Sequence, residues 1–149
     1  MDGNWWVTMI YVGVDPGKAT GVAVWDTGIE ALIHPTGEYD KAGFYKVLDE
    51  ICLSAAPMQI EFFTINTRTV KTAVDYTALH LIGACDYAAH LCGHEISYTN
   101  PSDVKSRFPD AALKKAGLWN RSPHVRDATR HLLFRLVAEN LIDARRLLL

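Results

Sequence analysis

The order in which strand-forming and helix-forming runs follow one another constrains this chain more than any other feature. Three extended runs come first. They are rich in β-branched, aromatic and apolar residues and cover Trp6–Val14, Thr20–Trp25 and about Ile29–His34. Asp15-Pro16-Gly17 closes the first run with turn residues, so the first two runs read as a hairpin, and Pro35-Thr36-Gly37 reads as a turn after the third. Asp40 then opens a helix to about Ser54, with Phe44, Val47, Leu48 and Ile51 at helical spacing. Pro57 breaks it. Gln59–Ile65 reads as a fourth strand.

The clearest periodicity follows. Val70, Ala73, Val74, Ala78, Leu81, Cys85, Ala88, Ala89 and Cys92 fall on one stripe of a long helix ending at Gly93. Glu95–Thr99 is a short fifth strand. After the turn Asn100-Pro101-Ser102 come short helical pieces up to Trp119. Ser122-Pro123 starts a last helix, Ser as cap and Pro in the first turn, running to about Asn140 with Val125, Ala128, Leu132, Leu136 and Val137 inward. Three strands followed by alternating strands and helices predict an α/β fold, a mixed five-stranded sheet flanked by helices. With 149 residues and no linker or repeat, residues 1–149 are expected to form a single domain.

Composition excludes more than it assigns. Hydrophobic residues at 49% and charged residues at 21% are ordinary for a soluble domain. No apolar run reaches membrane-spanning length and no signal-peptide pattern opens the chain, so the cytoplasm, of a bacterium or of a phage-infected host, is the expected location. Cys52, Cys85 and Cys92 do not pair evenly, none sits in a C-x-x-C, and they are expected as reduced, buried thiols and not as metal ligands. The net charge of −2 hides an asymmetry: residues 1–62 carry −6 and residues 63–149 carry +4. Lys105, Arg107, Lys114, Lys115, Arg121, Arg126 and Arg130 crowd into residues 101–131 against three acids. Such a stretch is either a polyanion footprint or a solvated mixed-charge surface.

Three carboxylates stand in places that invite chemistry. Asp15 ends an apolar strand, where hydrogen bonding to its own turn is the plain alternative. Glu61 lies inside Gln59-Ile60-Glu61-Phe62-Phe63, where an ionised group needs a cation, a metal or protons unless it faces outward from an edge. Asp127 lies three residues after His124, on the same face of the last helix, and a surface pairing with Arg130 or His131 would explain it equally well. Carboxylates converging from three elements suit a pair of hard divalent cations about 4 Å apart and hydrolysis of a phosphodiester.

Gly13-Val14-Asp15-Pro16-Gly17, followed by Thr20-Gly21-Val22, resembles the opening of RuvC-type Holliday-junction resolvases, whose G-[IV]-D-P-G turn carries the first metal-binding Asp. Ile60-Glu61 is similar to the family's second acid on strand four, and His124-x-x-Asp127-Ala128 to its closing pair. The resemblance spans the whole architecture. It implies an RNase H-like fold and a magnesium-dependent endodeoxyribonuclease, with manganese able to substitute. Asp15, Glu61 and Asp127 would then bind metal, and His124 would be a fourth ligand or would orient the attacking water. Lys105 and either Lys114 or Lys115 would stand near the scissile phosphate. Phe62 and Phe63 follow Glu61 too closely to match the family's aromatic wedge and are expected in the core. The implied substrate is a four-way DNA junction cut to 5′-phosphate and 3′-hydroxyl ends, and the implied assembly is a homodimer. Gly83-Ala84 and Ala88-Ala89 on the long helix would suit close packing against a second copy or within the monomer.

Other readings compete. A broader nuclease of forks and flaps, or a non-catalytic nucleic-acid-binding module, fits the same residues. The segment Gly13-x-x-x-Gly17-Lys18-Ala19 lacks the spacing and the hydroxyl residue of a phosphate-binding loop. An actin-like ATPase needs a far longer chain.

Overall fold

The computed structural model describes residues 8–64 and 75–147. Among these residues, five strands and five helices follow in chain order: β1 Ile10–Asp15, β2 Thr20–Asp26, β3 Ala31–Tyr39, α1 Lys41–Cys52, β4 Met58–Glu61, α2 Thr77–Cys92, β5 Ile96–Thr99, α3 Pro101–Arg107, α4 Asp110–Lys115 and α5 Pro123–Ala138. A 3-10 turn, Ala144–Arg146, follows α5. The strands form one sheet in the order β3-β2-β1-β4-β5. The first three are antiparallel neighbours, whereas β4 runs parallel to both β1 and β5. This is the expected mixed five-stranded sheet flanked by helices.

The period of two along each strand divides the side chains between two cores. Val12, Val14, Val22, Val24, Met58 and Ile60 point to one face and pack against Phe44, Val47, Leu48 and Ile51 of α1 and Leu81 and Cys85 of α2. Tyr11, Ala23 and Trp25 point to the other, against Phe108, Leu113 and Ala128, Leu132, Leu133 and Leu136 of α5. Each fully buried Leu or Phe contributes about 2 kcal/mol of transfer free energy. Caps hold the helix starts: Asp40 accepts from the Gly43 amide at 2.7 Å, and Ser122 from the Val125 amide at 3.2 Å.

Two glycines govern how closely α5 approaches the sheet. A Cβ on Gly13 would lie 2.1 Å from the Ala128 carbonyl oxygen, and one on Gly21 would lie 1.9 Å from that of His124. The α5 backbone therefore rests directly on the β1 and β2 backbone at these two glycines.

Several expectations shift. The third strand runs through Pro35-Thr36-Gly37 to Tyr39 and does not turn there. It is an edge strand, where a missing amide is tolerated, and a register irregularity opposite Val22–Val24 is bridged by Thr36, whose hydroxyl accepts from the Val24 amide at 2.9 Å. Strand four ends at Glu61, and Ile65 lies outside the described residues, as do Trp6, Val70, Ala73 and Val74. The last helix ends at Ala138, after which Ile142 and Leu147 fold back into the second core.

The cysteine expectation is corrected for two of three. Cys52 and Cys92 are joined in a disulfide, because α1 and α2 end side by side with these Cα atoms 5.6 Å apart. Cys85 is free and buried as expected, and burial pushes its thiol up to about 12. Among the described residues no helix is long and apolar enough to cross a membrane.

Candidate metal centre

β1 and β4 are parallel neighbours with Val14 opposite Ile60, so Asp15 and Glu61 stand side by side at their C-terminal ends. Both point to the face opposite the buried Val14 and Ile60, toward α5. Asp15 also pairs with Gly21 across β2, and Gly21 seats the His124 carbonyl. The first turns of α5 thus arrive directly over Asp15. Residues 124, 127 and 131 share the sheet-facing side of that helix.

The result is one cluster. Carboxylate oxygens of Asp15, Glu61 and Asp127 lie within 4.8 Å of one another. His124 Nδ1 sits 3.0 Å from an Asp15 oxygen. Lys105 Nζ forms an ion pair with Asp127 at 2.9 Å. Sequence reasoning thus placed five residues that the fold brings together. Lys114 is not among them: its ammonium lies 5.4 Å from the centroid of the Trp119 ring, and it makes no ion pair with these acids among the described residues. Lys115 is exposed on the same short helix. Phe62, expected in the core, is half-exposed and meets Tyr98 edge to face, with centroids 6.2 Å apart.

Two residues of the site were not singled out from sequence as functional. His131, fully buried, places Nε2 3.1 Å from a Glu61 oxygen. Arg130 donates to Asp127 at 2.6 Å and to the Phe108 carbonyl at 2.8 Å, and also grips Asp110. The pairing of Asp127 with Arg130 is therefore real and coexists with the cluster. The signal for His131 was its spacing, four residues after Asp127 and seven after His124. The plain alternative for Asp15 fails, because Thr20 closes that turn by donating to the Gly17 carbonyl at 2.9 Å and accepting from its amide.

The electrostatics fit a cation. Burial, then the neighbouring charge of Glu61, pushes the Asp15 carboxyl up from its ordinary 3.8 to about 7, against the opposing hydrogen bond from His124. Buried like charges at this separation cost free energy until a positive charge joins them. Of the three clustered acids, Lys105 and Arg130 reach Asp127 alone, and among the described residues Asp15 and Glu61 have imidazole partners. An all-oxygen donor set from three elements, backed by imidazoles, suits a hard divalent ion such as magnesium.

No protein-family model matches this chain, and no curated protein does. Solved structures do. Thermus thermophilus RuvC in complex with a Holliday junction substrate superposes with a TM-score of 0.67, covering 89% of this chain and 96% of its own at 19% identity. This chain has the RuvC fold. A second T. thermophilus RuvC structure gives a TM-score of 0.62 at 19% identity, covering 89% of this chain and 98% of its own. At that identity the likeness to RuvC is one of architecture.

Proposed function

We propose that this chain is a divalent-metal-dependent, structure-selective endodeoxyribonuclease that cuts four-way DNA junctions to 5′-phosphate and 3′-hydroxyl ends. The observation that carries this reading is the convergence of Asp15, Glu61 and Asp127 from β1, β4 and α5 at one point. The RuvC fold, seen elsewhere with a Holliday junction substrate, supports the substrate class.

Asp15, Glu61 and Asp127 would hold magnesium, or manganese in its place. When bound, such ions polarise the phosphodiester and make water a better nucleophile at neutral pH. The chain's own groups do the rest. His124, bonded to Asp15 and half-exposed, would take a proton from an incoming water or complete the ligand set. Lys105, half-exposed and paired with Asp127, would meet charge developing on the phosphate. Arg130 and His131 hold Asp127 and Glu61 in position from the buried side.

Branched DNA is the proposed partner and a homodimer the proposed assembly, in the cytoplasm of a bacterium or of a phage-infected host. Exposed Tyr87 and Leu91 on α2, beside Ala84 and Ala88, supply an apolar strip for a second copy, which sedimentation of the pure protein checks.

Incubation with magnesium and end-labelled four-way junctions, forks and linear duplexes tests the reading. Paired symmetric nicks across the junction are expected. Equal cutting of forks would make it the broader branched-DNA nuclease, and junction binding without cutting of any substrate would make it a binding module. Glu61→Gln is expected to bind junctions yet cut at least about 100-fold more slowly.

A further inference from the structure

At the end of β4 away from the carboxylates, Cys52, Cys92 and His94 form a second cluster of metal-ligating side chains. Cys52 is the last residue of α1 and Cys92 the last of α2, while His94 lies just before β5. Ligand atoms of the three lie within 4.8 Å of one another. Gly93, with φ of 76°, ends α2 in a left-handed turn that bends the chain between Cys92 and His94.

The state of the imidazole is informative. His94 is buried, 8% exposed, and its Nδ1 lies 2.8 Å from the Ala56 carbonyl oxygen. A carbonyl only accepts, so Nδ1 carries a proton, and in the neutral imidazole Nε2 is then the nitrogen with the lone pair. That Nε2 is buried and has no hydrogen-bond partner among the described residues. A buried polar atom without a partner calls for an explanation beyond packing. An imidazole whose other nitrogen donates to a backbone carbonyl is the arrangement that metal-binding histidines adopt.

We propose that Cys52, Cys92 and His94 form a thiol-gated site for a zinc-class divalent cation, closed by the disulfide and opened by reduction. Two sulfurs and one imidazole select a borderline-soft ion with a fourth position left for water, whereas the all-oxygen cluster at the other end selects a hard one. Opening is a thiol–disulfide exchange. The two cysteine sulfurs together take up two electrons and two protons, and a dithiol reductant is oxidised to its own disulfide. Cation binding then releases both protons as the sulfurs ligate as thiolates. Both cysteines are only half-buried, so reductant and ion can reach them. The ends of α1 and α2 stay stapled in either state, by a covalent bond or by a metal.

The test is a cobalt titration of the full chain after reduction and anaerobic removal of the reductant. One equivalent is expected to raise thiolate-to-cobalt absorption in the near ultraviolet, and zinc is expected to displace it. Cys52→Ser and Cys92→Ser should lose the band, and His94→Gln should weaken binding at least roughly 10-fold. Asp127→Asn should leave the band unchanged, which separates this site from the nuclease reading. Absence of the band in reduced protein with both thiols titratable overturns the proposal, as does unchanged affinity in His94→Gln. The unmutated protein offers its own check: zinc should slow alkylation of Cys52 and Cys92, and no slowing would overturn the site.

Discussion

Asp15 carries the sharpest consequence at the scale of single residues. Its carboxyl titrates near 3.8 when exposed but at about 7 in the fold, because it is buried and faces Glu61. Between those values the folded chain holds a proton that the unfolded chain has released. The contribution of Asp15 to stability therefore falls as pH rises from about 4 to about 7, and it is complete below that window. Thermal melts of the metal-free protein should show this fall, Asp15→Asn should remove that part of it, and saturating magnesium should do the same. Arg130 makes a second case. Its guanidinium, 8% exposed, serves Asp127, Asp110 and the Phe108 carbonyl together. Arg130→Ala should cost about 3 kcal/mol by denaturant unfolding, the low end for a broken buried pair, because Asp110 remains half-exposed.

Among the elements, α5 does most to build the centre. It brings His124, Asp127 and His131 to the sheet, and it can do so only because Gly13 and Gly21 leave room for its backbone. Gly13→Ala puts a methyl 2.1 Å from the Ala128 carbonyl oxygen, so the helix must lift. A loss of about 3 kcal/mol or more is expected, together with loss of the magnesium-induced rise in melting temperature. The sequence showed these glycines as parts of a motif but not their use, since a close approach is a property of two segments 115 residues apart at Gly13 and Ala128. The same distinction runs through the other elements. Strand and helix periods are local, so the two faces of the sheet and the places of Asp15, Glu61 and Asp127 were legible. His131 was not, because one imidazole on an apolar helix face looks like core until Glu61 is seen opposite it. Pro35 suggested a turn because a lone sequence does not say which strand lies at an edge. Cys52 and Cys92, 40 residues apart, carry no local sign of their pairing.

Across the whole molecule, the sheet separates two chemistries. The carboxylate centre lies where the parallel strands β1 and β4 end, a common position for sites in α/β sheets. The sulfur and imidazole cluster lies where β4 and β5 begin. Charge is divided too. Of the seven bases in residues 101–131, Arg126 and Arg130 are engaged with Asp110 and Asp127 and are the least exposed; Lys105, which also pairs with Asp127, is exposed, as are Arg107, Lys114, Lys115 and Arg121. If these exposed bases meet DNA phosphates, junction affinity should fall steeply with salt. Changing Lys114 and Arg121 together to Gln should flatten the slope of log affinity against log salt by about 2, measured by fluorescence anisotropy. An unchanged slope would remove those two bases from the DNA footprint.

The seating of α5 on Gly13 and Gly21 also has a bearing on biosynthesis. Asp15 and Glu61 lie on strands made early, but the third carboxylate rides on a helix that closes only at Ala138. A nascent chain shorter than that can pair its strands and still hold an incomplete centre. The proposed nuclease thus gains its third carboxylate only once the ribosome has passed that helix.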